Sequence, residues 1–130
     1  MPIRILRLGT PRDAAEGLRI GTVRRPPRGV AKERIAADDW YDVWLPQLAP
    51  SAELVKEAQS ATDAKAWQQF ARKYRREMSV SDTARLIALL AALSKTTNFA
   101  VGCYCADETH CHRSVLRELL QEAGAEVREE

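Results

Sequence analysis

Two short runs near opposite ends of the chain do most to restrict the fold: IRILRL at Ile3–Leu8, which alternates apolar and basic positions, and the apolar run from Phe99 to Cys103 or Cys105. Both have strand length and composition, and both stop at turn residues, GTPRD after the first and ADET after the second. Between them only RIGTV at Arg19–Val23 reads as a further strand, and Gly21 interrupts it. No two of these runs are joined by a hairpin turn. Strands without hairpins must be linked by crossovers, and crossovers give parallel pairing. The expected class is therefore α/β, with a small, mainly parallel sheet.

The intervening residues supply the helices. Ser51, after Pro50, is placed to cap one of about eight residues, its hydroxyl accepting an otherwise unpaired N–H. Asp63 is placed to cap a longer one, Ala64–Met78, in which Trp67, Phe70, Ala71, Tyr74 and Met78 share one face. Lys65, Gln69, Arg72, Lys73, Arg75 and Arg76 occupy the opposite, solvated face. A third helix starts at Ser81 or Asp82, and Leu86, Ile87, Leu89, Leu90 and Leu93 make it apolar over most of its surface, so deep burial is expected. Ser114–Ala123 is the last, stopped by Gly124, and AEV after it begins a final short strand. A short turn of helix is expected around Asp39–Trp44, ending before Pro46. The stretch RRPPRGVAKERI is a loop, because its two prolines exclude helix, and it displays Arg24, Arg25, Arg28 and Lys32.

A chain of 130 residues can bury a core without disulfide or metal staples, so residues 1–130 are expected to form one domain. The apolar fraction of 45% and charged fraction of 29% exclude a disordered chain. The longest apolar run, Leu86–Leu93, is far short of a bilayer span, and MPIRILRLGTPRD lacks the apolar core of a secretory signal. A cytoplasmic protein with no membrane partner is expected. A net charge of +2 is too weak for a general nucleic-acid coat protein, which leaves nucleic acid a possible partner only through the local Arg loop.

All three cysteines and both histidines fall between positions 103 and 112. In a reducing compartment this favours metal, catalytic or redox chemistry over a disulfide framework. A strand running through Cys103 and Cys105 would present both thiols to one side. The chain then turns, and Cys-His-Arg-Ser opens a helix whose first N–H groups lack internal partners and carry the positive end of the dipole. Three chemistries fit. The first, favoured because the strand-to-helix geometry is regular, is an anion pocket for a phosphorylated small molecule or nucleotide. Arg113, Ser114 and Arg28 would bind the anion. The second is a zinc or iron site using four of Cys103, Cys105, His110, Cys111 and His112, although the spacing matches no paired-knuckle pattern. The third is a nucleophile, Cys111 or Cys103, with His112 as proton carrier; Cys111 beside Arg113 at a helix start is expected to have a lowered pKa. Set against all three is a plain structural role, since cysteine is a common buried hydrophobe.

The segment CYCADETHCHRSVLRELL resembles the signature of a bacterial family, domain of unknown function 488, at Cys103, Cys111, His112 and Arg113. Earlier residues resemble its YeaO-like branch: Arg25, Pro27, Arg28 and Gly29 in the loop; Trp44, Leu48, Ala49, Pro50 and Ser51; and Trp67, Phe70, Tyr74 and Glu77 on the long helix. Cys105 stands where the family commonly has an acidic residue. The resemblance implies a three-layer α/β sandwich with the Arg loop and the Cys-His-Arg helix start near the same strand ends. It implies no activity.

Overall fold

Phe99–Cys103 is the strand around which the rest is assembled. In the computed structural model, which describes residues 2–105 and 111–128, four strands form one sheet. They are β1 (Ile3–Arg7), β2 (Leu18–Gly21), β3 (Val43–Trp44) and β4 (Phe99–Cys103), in the order β1-β4-β2-β3. All the pairings are parallel, with Val101 of β4 opposite both Ile5 and Ile20. Every residue of β4 is buried, which is why its sequence is a continuous apolar run and not an alternating one. Val127 adds an isolated parallel bridge to Ile3, where a last strand was expected.

The helices are α1 (Ala52–Ser60), α2 (Ala64–Met78), α3 (Ser81–Leu93) and α4 (His112–Glu122). Ser51 and Asp63 cap the first two as expected, accepting from Leu54 N–H at 3.3 Å and Ala66 N–H at 2.8 Å. One core cluster joins Ile3, Ile5, Ile20, Phe99 and Val101 of the sheet to Leu54, Phe70, Tyr74, Met78, Ile87, Leu90 and Leu116 of the helices. A second lies beneath the chain between β2 and β3: Leu6, Leu8 and Ala100 pack with Val23 and Tyr41, flanked by Ile35 and Trp40. The three layers are thus helices, sheet, and a connecting segment whose one regular piece is the 3-10 turn Lys32–Arg34. Gly21 permits that segment to lie close, because a Cβ there would fall 2.5 Å from the Tyr41 ring.

Two local expectations are corrected. Asp39–Trp44 does not form helix: Asp39 takes φ +65 and Val43–Trp44 become the edge strand β3. The cause is tertiary. Asp42 exchanges two 2.8 Å bonds with Arg19, its own N–H donating to the Arg19 carbonyl and its carboxylate accepting the Arg19 N–H, which aligns the following residues with β2. Helix α3 is not deeply buried, since it packs on α2 and α4 from one side and leaves Leu89 53% exposed.

Between the sheet and the connecting segment, Arg19 is fully buried against Glu16 through two bonds, Nε to Oε2 at 2.7 Å and Nη2 to Oε1 at 2.9 Å. Arg4 adds a third bond to the same carboxylate at 2.7 Å, and Arg19 Nη1 donates to the Thr10 carbonyl at 2.8 Å. Burial alone would raise the Glu16 pKa, but the Arg19 guanidinium, with the Asp13 N–H and Arg4, outweighs it and holds the group below its ordinary 4.5. This stability is therefore present above pH 4.5 and is lost as pH falls through the lowered folded-state value. Arg19→Met, which leaves the buried carboxylate to Arg4 alone among the cations, is expected to cost about 3 kcal/mol at neutral pH. In urea titrations that deficit should shrink on acidification, as Glu16 becomes protonated and no longer needs a cation.

Candidate functional site

At the carboxyl end of β4 the chain delivers Cys103, and Cys111 and His112 return to the same place as α4 begins. Cys111 is the N-cap of that helix in extended conformation, with no side-chain capping bond. Capping falls instead to its carbonyl, which accepts the N–H and the hydroxyl of Ser114, both at 3.0 Å. The Cys111 thiol is left to the cluster. Among the described residues, the ligand atoms of Cys103, Cys111 and His112 lie within 4.8 Å of one another, and all three residues are buried.

Thr22, immediately after β2, orients the imidazole. Its N–H and hydroxyl both donate to the Gly102 carbonyl, at 2.9 and 3.0 Å, and its own carbonyl lies 2.8 Å from His112 Nε2. A carbonyl only accepts, so Nε2 carries the proton and Nδ1 keeps its lone pair. Nδ1 is 3.7 Å from Cys111 Sγ. The Tyr74 ring packs 5.6 Å from the imidazole and helps to exclude water. Burial therefore dominates the electrostatics and pushes the His112 pKa down to about 4, against a smaller upward effect of the Thr22 bond.

The thiols do not behave alike. Cys105 is exposed, and its pKa is lowered by hydrogen bonds from Cys103 and Cys111, with help from the nearby Arg113 charge. Cys103 is raised in consequence, because it donates to Cys105 and is itself buried. For Cys111 the neighbouring Cys103 acts downward, yet Cys105 and burial outweigh it and hold the thiol up near 11. The lowered value expected for Cys111 thus falls to Cys105, since at Cys111 the neighbouring Cys105 and burial oppose the helix start. Arg113 is only 3% exposed and donates to the Cys105 carbonyl at 2.6 Å, behind the cluster.

The structure thus brings together Cys103, Cys111, His112 and Arg113, with Cys105 at their exposed side. Ser114 serves as part of the helix cap, and Arg28 is exposed on its loop. His110 lies outside the described residues. Asp39 and Asp42 hold Arg12, and Asp38 holds Arg34, so these carboxylates are structural. Thr22 is the contributor that sequence spacing misses, because nothing local links it to a histidine ninety residues later. In metal-free protein, nitrogen-resolved NMR should find His112 as the neutral Nε2–H tautomer, protonating only near pH 4. Because the unfolded chain takes up that proton near its ordinary 6.5, stability should fall as pH drops from 6.5 toward 4.

No helix among the described residues is long and apolar enough to cross a membrane. No curated protein and no solved structure matches the chain. The model of the family DUF488-N3a, described as the active DUF488-N3 subclade, matches residues 3–124. That span runs from β1 through the Cys/His cluster to the end of α4, and the chain belongs to the DUF488 family.

Proposed function

We propose that the protein binds a transition metal of the zinc or ferrous-iron class through Cys103, Cys111 and His112 Nδ1, with Cys105 as fourth donor. The observation that carries this reading is the convergence of three buried soft donors within 4.8 Å. In a tetrahedral zinc site, bond lengths of about 2.3 Å to sulfur and 2.0–2.1 Å to nitrogen put neighbouring donors about 3.6–3.8 Å apart. The Cys111 Sγ to His112 Nδ1 distance of 3.7 Å already has that value. The Nε2–H bond to the Thr22 carbonyl is the outer contact a ligating imidazole needs to fix its tautomer. Charge favours it as well: three thiolates and a divalent ion leave one negative charge, which the Arg113 guanidinium balances. Burial separates this role from a nucleophile's, because Cys103 and Cys111 are closed to a substrate but not to a ligated ion.

Protein purified without an affinity tag or chelator should carry about one equivalent of zinc or iron by elemental analysis, and Cys103→Ser or Cys111→Ser should remove it. Less than about a tenth of an equivalent in the unsubstituted protein, with none taken up on addition, would overturn the assignment.

A second reading keeps the cluster metal-free, as an anion pocket for a phosphorylated small molecule or nucleotide. Arg113 and Arg28 bind the anion, a cysteine is the nucleophile and His112 the proton carrier. The exposure of Cys105 favours it, since this thiol is open to solvent. Alkylation of Cys105 should then proceed well below pH 8.5 and be slowed by inorganic phosphate; an ordinary profile centred at about 8.5 would exclude it.

A further inference from the structure

Only some of the arginines of this chain are engaged by carboxylates. Arg4, Arg12, Arg19, Arg34, Arg75 and Arg128 each pair with a carboxylate. Arg24, Arg25 and Arg28 stand exposed on one loop, and no carboxylate of the described residues pairs with them. The loop is nonetheless fixed. Thr22 at its start is bound to Gly102 and His112. The Trp44 indole N–H donates to the Val23 carbonyl at 2.7 Å, and the Tyr104 hydroxyl donates to the Arg25 carbonyl at 2.7 Å. Pro27 is buried and Pro26 restricts the chain before it. Arg24 and Arg25 are therefore held between two anchors, one on the His112 partner and one on the residue between Cys103 and Cys105.

Trp44 of the edge strand, bonded to the residue before Arg24, is 42% exposed. Its only polar atom is already used by Val23, so the indole offers π-surface and no further hydrogen bond. Guanidiniums without a carboxylate among the described residues, on a loop bonded to an open indole at the carboxyl ends of parallel strands, are what a phosphate and an unstacked base require.

We propose that this loop and Trp44 bind a nucleotide unit, its phosphate on Arg24, Arg25 and Arg28 and its base stacked on Trp44, beside the Cys/His cluster. The recognised chemistry is a phosphate ester carrying an unpaired base, supplied either by a free nucleotide or by single-stranded nucleic acid. The assignment is independent of metal, because none of its residues belongs to the cluster.

Fluorescence anisotropy with a labelled oligothymidylate, and calorimetry with thymidine monophosphate, test it at low salt. The oligomer should bind more tightly than a duplex of the same length, in which the bases are hidden. Arg24→Gln with Arg25→Gln should weaken binding about tenfold and lower the slope of log K against log salt by about 1.4, the value for two phosphate contacts on a single strand. Trp44→Leu should weaken it by roughly tenfold, whereas Trp44→Phe keeps a stacking face and most of the affinity. Arg72→Gln with Arg76→Gln, on the separate basic face of α2, should leave binding unchanged. Binding of the monophosphate alone, with the same losses, identifies the source as a free nucleotide; tighter binding of the oligomer identifies a single strand. The proposal is overturned if neither probe binds, if binding survives the Arg24/Arg25 substitutions, or if it is lost in the α2 variant.

Discussion

Burial of β4 on both faces is the constraint on which the rest depends. A strand flanked by β1 and β2 in parallel has backbone partners on both edges, so its residues can be apolar on both faces, and both layers can close over it. Its end is then fixed in position, and so are the residues that follow. Gly102 turns this into a junction: its carbonyl takes two bonds from Thr22, and Thr22 in turn holds His112. The geometry of the cluster is thus inherited from the sheet.

The cluster also shows how burial and charge compete. The helix start and Arg113 both favour thiolate, and by that reasoning Cys111 should be the acidic thiol. Contact among the thiols, reinforced by burial, reverses the ranking, raising Cys103 and Cys111 and leaving the negative charge to the exposed Cys105. The same burial keeps His112 neutral with its lone pair toward sulfur. Neutral imidazole and convergent sulfurs are the state in which these groups accept a cation, which underlies the metal reading proposed above.

Much of the fold was legible in the chain. The apolar run at Phe99–Cys103, the single-face period of Ala64–Met78 and the caps Ser51 and Asp63 have local causes, and local causes can be read along a sequence. Asp39–Trp44 misled because its strand exists only by pairing with β2, and a two-residue edge strand has no period to detect. The exposed side of α3 misled for the opposite reason: apolar composition measures what a helix could bury, and α3 packs from one side only.

What the sequence determined by itself was the α/β class, the helix positions and the gathering of Cys103, Cys111, His112 and Arg113 into one segment, because each follows from nearest-neighbour spacing. Tertiary structure alone decided that Thr22 sets the tautomer of His112, that Cys105 is the exposed thiol, and that Arg24 and Arg25 are anchored beside the cluster by Tyr104 and Trp44. Those relations join residues distant in the chain through sheet register and loop path. No local pattern encodes a hydrogen bond between partners brought together only when parallel strands align their ends.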